Sequence, residues 1–433
     1  MTHRHERTLV ATGIARVEGE GALHVRVRGE SVDEVRLDIY EPPRFFESFL
    51  RGRSYTEPPD ITARVCGICP VAYQTSAYLA IEAACDVQVG GPIADLRRLL
   101  YCGEWIASHA LHIYMLHAPD FLGYPGAVEL ARDQREIVER GLTLRRAGNA
   151  IMEIIGGRAV HPVNVRVGGF YSVPARRDLD RLAAQLQAAV EPALETVRWV
   201  AGFEFPELTV EHEMLALSQP GSYPIERGSV VTTGGRQFAA ADFEQHVIEE
   251  HVARSTALHA RLSGHDGTYL TGPLARYTLN SRWLPPLAAA AAAEAGLGDS
   301  CRNPFRSIVV RAVEVVCALT EAIRLIDAYE PPEISFVQVA PRAGVGHGVS
   351  EAPRGVLYQR YELDRDGVIQ SARIIPPTSQ NQAAIEADLG QFVQARLDLD
   401  DAELTRQCEQ AIRNYDPCIS CATHFLDLHM ERV

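Results

Sequence analysis

Two Cys-x-x-Cys pairs carry the chemistry this chain could do. One lies near the start, in Arg64-Val65-Cys66-Gly67-Ile68-Cys69-Pro70. The other lies near the end, in Asp416-Pro417-Cys418-Ile419-Ser420-Cys421-Ala422-Thr423-His424. Two thiols three positions apart share one turn and can chelate a single ion. Thiolates are soft donors, so four of them select zinc, iron–sulfur clusters, or nickel and iron. A single pair would equally suit a redox dithiol. Structural zinc sites usually space their pairs about 15–20 residues apart, whereas these stand at opposite ends of the sequence. That separation suits a centre assembled late inside a folded scaffold, although spacing alone leaves zinc and iron–sulfur open. Cys85, Cys102, Cys301, Cys317 and Cys408 show no pairing pattern and read as small apolar core residues.

A buried centre needs a large core around it. The chain has 433 residues, 46% hydrophobic and 23% charged, which is ordinary for a globular protein and enough for one big multi-lobed domain spanning 1–433. Its net charge of −14 and 7% aromatic content argue against a nucleic-acid surface, since a polyanion is repelled and no basic-aromatic stripe is present. No apolar run approaches the roughly 18 residues of a membrane span. The polar opening residues lack the pattern of a secretory signal, so a cytoplasmic location is expected, where cysteines serve metal or redox chemistry more often than disulfides.

The elements that must position the cysteines follow from periodicity. Residues 8–41 alternate apolar and polar side chains and predict a small antiparallel sheet. Glu41-Pro42-Pro43 stops it, and 44–52 predicts a short helix carrying Glu47. Helical patterns over 76–122, 127–156, 177–203 and 304–329 predict a central bundle. The stretch 205–300 is mixed, with a helix expected near 241–262. Residues 334–375 return to strands, of which 356–363 and 368–375 flank Asp364-Arg365-Asp366-Gly367, whose Asp-Gly is a hairpin signal. Helices near 379–396 and 401–414 follow, the second delivering the chain to the final cysteine pair. The fold class is mainly helical α+β, a long-helix bundle with small peripheral antiparallel sheets.

The residues around the cysteines resemble those of nickel–iron hydrogenase large subunits. The matching pieces are Arg16-Val17-Glu18-Gly19, Arg44-Phe45-Phe46-Glu47, Arg64 to Cys69, His117-Ala118-Pro119-Asp120, His161-Pro162, Glu351-Ala352-Pro353-Arg354-Gly355, Pro377-Thr378 and Asp416 to His424, in that order along nearly the whole length. The resemblance implies nickel held by Cys66, Cys69, Cys418 and Cys421. Cys69 and Cys421 would also bridge to an iron carrying carbon monoxide and two cyanides. It implies Glu18 as the first proton carrier beyond Cys418. Arg354 would reach over the open metal site, with Asp120 and Asp416 as its carboxylate partners. Pro353, Arg354, Pro377 and Thr378 would surround the diatomic ligands. Glu47, His424 and the Ile374 carbonyl would hold a structural magnesium. Tyr73 stands where the family usually has histidine, and a phenol with a pKa near ~10 is a poor proton shuttle. A maturation endopeptidase would remove 425–433 once a nickel chaperone had delivered the metal.

The Pro70-Val71-Ala72-Tyr73-Gln74 run and the Cys-Ile-Ser-Cys-Ala-Thr-His ending are similar to the cytoplasmic, NADP-linked group that includes sulfhydrogenases. That likeness implies reversible heterolytic oxidation of dihydrogen on this subunit. Electrons would leave through a small iron–sulfur subunit to flavin- and NAD(P)-binding diaphorase subunits. No iron–sulfur cluster and no nucleotide are expected on this chain, which has no GxGxxG after a strand. The alternatives are a deazaflavin-reducing hydrogenase large subunit and a non-hydrogenase, metal-binding structural subunit.

Overall fold

Apolar alternation near the start builds a three-stranded antiparallel sheet from β1 (Glu6–Ala11), β2 (Gly21–Arg28) and β3 (Ser31–Ile39), in that order. Leu23, Val25, Val27 and Leu37 are buried beneath it. The computed structural model describes residues 6–423, so His424 and the 425–433 extension lie outside the described residues. A short helix, α1 (Phe46–Leu50), follows the sheet. Then come α2 (Pro70–Ala84) and α3 (Gly91–Leu111), the latter continuing into a π-helical turn at His112–His117.

The bundle is completed by α4 (Arg135–Gly156), α5 (Arg176–Ala201) and, much later, α6 (Ser307–Asp327). Helix α3 packs against α4 and α6, and α5 packs against α6. Glycines permit the closest of these approaches: a Cβ on Gly148 of α4 would lie 2.5 Å from the Gly103 carbonyl oxygen of α3.

The mixed middle of the chain supplies β4 (Glu213–Ser218), β5 (Ser229–Thr232), β6 (Val247–Glu250), β7 (His259–Leu262) and β8 (Tyr269–Thr271). The helix expected near 241–262 is not formed. Only Phe243–His246 is α-helical, and the next residues pair as the antiparallel strands β6 and β7, with buried Val247 opposite buried Leu262. Cross-strand burial outweighs the weak helical periodicity there.

The last sheet is β9 (Gly344–Ala352), β10 (Gly355–Leu363) and β11 (Ile369–Ile375), in that order. The β10–β11 hairpin turns where Asp364 Oδ1 accepts the N–H groups of Asp366 and Val368, each at 2.9 Å. Helix α2 lies directly on β9, and the glycines of that strand make this possible. A Cβ at Gly346 would sit 1.9 Å from the Ala80 carbonyl oxygen. The chain then forms α7 (Pro377–Gln394) and α8 (Asp401–Arg413), the latter capped by Asp400, which accepts the Glu403 N–H at 2.9 Å.

A buried ion network ties these layers together. Arg276, on the helix Pro273–Asn280, bonds Glu314 of α6 at 2.8 Å and Glu351 of β9 at 3.0 Å, all three fully buried. It also donates to the carbonyls of Ala352 and Pro353, which fixes the backbone just before Arg354. Replacing Arg276 by Met strands two buried carboxylates. The expected cost is about 3–5 kcal/mol, readable by chemical denaturation. Burial raises Glu314, but Arg276 and His109 more than offset it and hold the carboxyl at about 2. A depressed pKa contributes stability above the unfolded value of about 4.3 that is lost as pH falls toward the folded one. Acid unfolding of the unsubstituted protein should therefore steepen below about pH 4.

Candidate metal centre

The two ends of the chain meet where α2 begins. Cys66 follows a short turn at Ala63–Val65, and Cys69 occupies the N-cap position of α2. Cys418 enters after α8, and Cys421 sits in the turn Ile419–Ala422. Sulfur–sulfur distances are 3.5 Å for Cys66–Cys418, 3.8 Å for Cys69–Cys421 and 2.6 Å for Cys418–Cys421. All four sulfurs lie within 4.8 Å of one another and are buried.

Four sulfurs bonded to one ion at about 2.3 Å in a tetrahedral array stand about 3.8 Å apart. The cross-chain distances fit that requirement, and an ion between Cys418 and Cys421 would spread them. The charge balance points the same way. Hydrogen bonds from the Cys418, Cys421 and Cys69 thiols push Cys66 well below the ordinary thiol range. Burial, followed by contact with its neighbours, pushes Cys418 well above it, and Cys69 and Cys421 also titrate high. Four thiolates packed this closely would repel one another without a cation among them. The donor set suits a thiolate-loving metal such as nickel or iron.

Backbone donors hold the sulfurs in place. Cys66 Sγ accepts the N–H groups of Ile68 at 3.3 Å and Cys69 at 3.4 Å. The Cys418 N–H donates to Thr378 Oγ1 at 3.0 Å, leaving the threonine's own hydroxyl proton free to donate. Thr378 and Pro377 open α7 beside the pocket. Glu18 pairs with the Cys418 loop as an isolated β-bridge, in which Ile419 N–H donates to the Glu18 carbonyl at 2.9 Å. Its carboxylate Oε2 accepts the Cys418 thiol at 3.1 Å and the Ser420 N–H at 3.1 Å.

Arg354 is buried against the cluster. Its Nε donates to the Asp416 carbonyl at 2.7 Å, and Nη2 to Asp416 Oδ1 at 3.1 Å. Asp416 has a φ of 50°, a turn that presents both groups to the guanidinium. Nη1 has no hydrogen-bond partner among the described residues. Burial opposes the charge, yet Asp416 and the sulfurs of Cys418, Cys69 and Cys66 raise the pKa of Arg354 well above its ordinary value. The neighbouring Pro353 contributes its carbonyl to Arg276.

Asp120 departs from the expectation of a second partner for Arg354. Its carboxylate takes Arg413 at 2.9 and 3.1 Å and also binds Arg16. Arg413 ends α8 with its guanidinium buried, and that charge claims the carboxylate. Asp120 therefore braces the helix that leads to the second cysteine pair.

Glu47 and Ile374 do adjoin: Glu47 Oε1 accepts the Ile374 N–H at 2.8 Å. Burial raises the pKa of Glu47, opposed by Arg373. Their expected companion His424 lies outside the described residues. Tyr73 is buried, and its hydroxyl has no oxygen or nitrogen partner among the described residues and lies against the Cys421 sulfur. Burial and the charges of Cys421 and Cys69 raise its pKa well above the usual phenol value, which disfavours proton transfer further.

One positioning residue was hidden in the sequence. Arg44 Nη2 donates to the Val65 carbonyl at 2.7 Å and to the Ser420 carbonyl, so a single nitrogen joins the two cysteine loops. The Arg44 N–H donates to the Thr423 carbonyl at 2.6 Å. Its place in Arg-Phe-Phe-Glu was the available signal, but only Glu47 in that run has the form of a ligand. Arg44→Ala should lower metal affinity by about 10–100-fold, the usual range for a supporting contact, read as nickel and iron per chain in the purified protein.

Comparison with known proteins agrees with this geometry. Residues 44–139 and 304–424 match the family described as nickel-dependent hydrogenase. Sulfhydrogenase 2 subunit alpha of Pyrococcus furiosus is 32% identical over 417 residues, which cover 95% of this chain and 98% of that one. Sulfhydrogenase 1 subunit alpha of the same organism is 31% identical over 96% of this chain and 97% of its own length. The crystal structure of an NAD+-reducing NiFe hydrogenase in the H2-reduced state superposes with a TM-score of 0.87 at 28% identity, covering 96% of this chain and 99% of that one. The mainly helical α+β fold expected from the sequence is the fold found. With half the chain matching the family and relatives above 30% identity spanning nearly all of it, this chain belongs to the nickel-dependent hydrogenases, as the catalytic large subunit that carries the nickel–iron site.

Proposed function

We propose that this subunit oxidises dihydrogen heterolytically and reversibly and sends the electrons, by way of a small iron–sulfur subunit and a flavoprotein diaphorase, to NAD(P). The observation that carries the first part is the Cys418 thiol 3.1 Å from Glu18 Oε2 at the edge of a buried four-sulfur cluster. A nickel–iron centre held by Cys66, Cys69, Cys418 and Cys421, its iron bearing carbon monoxide and two cyanides, supplies Lewis acidity and redox capacity toward dihydrogen when bound.

The chain's own residues handle the proton and the surroundings. Cys418 Sγ holds a proton and passes it to Glu18 Oε2, already within hydrogen-bond reach. Arg354, anchored by Asp416, keeps a positive charge beside the sulfurs and offers Nη1 to a bound group. Thr378, which accepts the Cys418 N–H, offers its hydroxyl proton as well. Burial excludes bulk water from this volume and strengthens each of these interactions. Glu47 and the Ile374 backbone, with His424, would hold a structural magnesium, and 425–433 would be removed by a maturation endopeptidase after a nickel chaperone had acted. The protein would work in the cytoplasm as one multi-lobed domain within a heteromultimer.

The route to NAD(P) is supported by the likeness to a solved NAD+-reducing hydrogenase and to sulfhydrogenase alpha subunits. The complex purified with its natural partners should reduce NAD+ or NADP+ under hydrogen. Reduction of a deazaflavin alone would instead place the chain in the other group of large subunits.

A further inference from the structure

Helix α2 starts immediately after Cys69, and its N-terminus lacks the usual cap. A helix leaves its first N–H groups unpaired, and a Ser, Thr, Asp or Asn at the N-cap normally accepts one of them. Here the N-cap is Cys69, whose side chain makes no capping bond because it belongs to the sulfur cluster. Pro70 has no N–H to satisfy. The N–H groups of Val71 and Ala72 remain, buried in the core.

Another helix satisfies them. Glu104, fully buried on α3, accepts the Val71 N–H with Oε2 at 2.5 Å and the Ala72 N–H with Oε1 at 3.1 Å. Both oxygens act as acceptors, the pattern of an ionised carboxylate. Burial raises the Glu104 pKa well above the ordinary carboxyl range, while the two backbone donors oppose the rise. Among the described residues, neither oxygen has an acceptor to which a proton could be donated. The carboxylate also sits at the positive end of the α2 dipole, which favours the charged form. It lies within electrostatic range of both Cys66 and Arg354.

We propose that Glu104 is a positioning residue for the first cysteine pair: it caps α2 from the neighbouring helix with both carboxylate oxygens, so fixing Cys66 and Cys69, and the negative charge those two N–H groups hold there lowers the reduction potential of the centre. The inference rests on the four cysteines holding the nickel–iron centre. A lone carboxylate in an apolar stretch of helix, Tyr101-Cys102-Gly103-Glu104-Trp105-Ile106, is costly to bury unless a specific contact compensates. The two N–H groups of α2 provide that contact.

The test uses the whole complex, produced with its maturation proteins, carrying Glu104→Gln. The amide keeps one acceptor for the helix end and removes the charge. Infrared-monitored redox titration should show full nickel and iron content, a midpoint shifted to more positive potential, and carbon monoxide and cyanide bands moved to higher wavenumber. A fully loaded variant with unshifted midpoint and bands would overturn the proposal. Should Glu104→Gln fail to load metal, hydrogen exchange on the unloaded chain decides. The peptide covering residues 66–75 should exchange at least tenfold faster than in the unsubstituted chain, with α4 unchanged, and equal exchange in that peptide would refute the cap. Absence of carbon monoxide and cyanide bands from the unsubstituted protein would count against the metal assignment itself, a separate outcome.

Discussion

Glu18→Gln should leave nickel and iron in place and lower hydrogen turnover by about 10²–10⁴-fold, the range for loss of a positioned acid–base group. The amide oxygen can still accept the Ser420 N–H that Glu18 Oε2 now accepts at 3.1 Å, so the Cys418–Cys421 loop stays seated. It cannot take up the proton that the Cys418 thiol presents at 3.1 Å. The measurement is exchange of deuterium gas with solvent protons, with metal content and infrared bands recorded on the same sample. Retention of exchange within about twofold, in a fully loaded variant, would show that the proton leaves by another route. Glu18→Asp retracts the carboxylate by one methylene and should restore only part of the rate.

Arg354→Lys has the second-largest expected effect. The guanidinium uses two nitrogens on Asp416 and keeps a third without a partner among the described residues. Lysine is a point charge with no planar fork, so it cannot hold Asp416 through two nitrogens and also present a third. Removing one preorganised donor from a dry site usually costs about 10²–10³-fold, and turnover should fall by that amount while nickel and iron remain. A loss of metal instead of rate would recast Arg354 as a structural residue for the sulfur cluster. Equal rates for the Lys variant and the unsubstituted protein would show that charge alone suffices.

Much of this architecture was legible in the residues. The alternation over 8–41, the Asp-Gly turn between β10 and β11 and the long helical repeats correspond to elements observed. Strand β9 falls within the 334–375 stretch read as strands, but its bounds were not drawn because Gly344, Gly346 and Gly348 are poor strand formers taken alone. Their value is tertiary, since they let the α2 backbone lie against the sheet. The false helix near 241–262 arose from the same limit: pairing between β6 and β7 is a contact that local periodicity does not encode.

The four cysteines, Glu18, Arg354 and Asp416 were named from their motifs, and the structure brings them together. Asp120 was named too, but its partners are Arg16 and Arg413, because which of several buried arginines a carboxylate meets depends on how helices pack. The positioning roles of Arg44 and Glu104 went unread for a related reason. Each acts on backbone groups of a distant segment, Arg44 on carbonyls and Glu104 on N–H groups. Backbone partners leave no residue-type signature to search for. For Glu104 the hint was cost: a charge in an apolar helical run has to be compensated somewhere.

The most direct measurement is an infrared spectrum of the matured complex in the region of metal-bound carbon monoxide and cyanide, with nickel, iron and zinc counted on the same sample. The account predicts a carbon monoxide band, a pair of cyanide bands and equal nickel and iron, all lost in Cys421→Ser. A spectrum empty in that region, with zinc bound by the four cysteines, would contradict it.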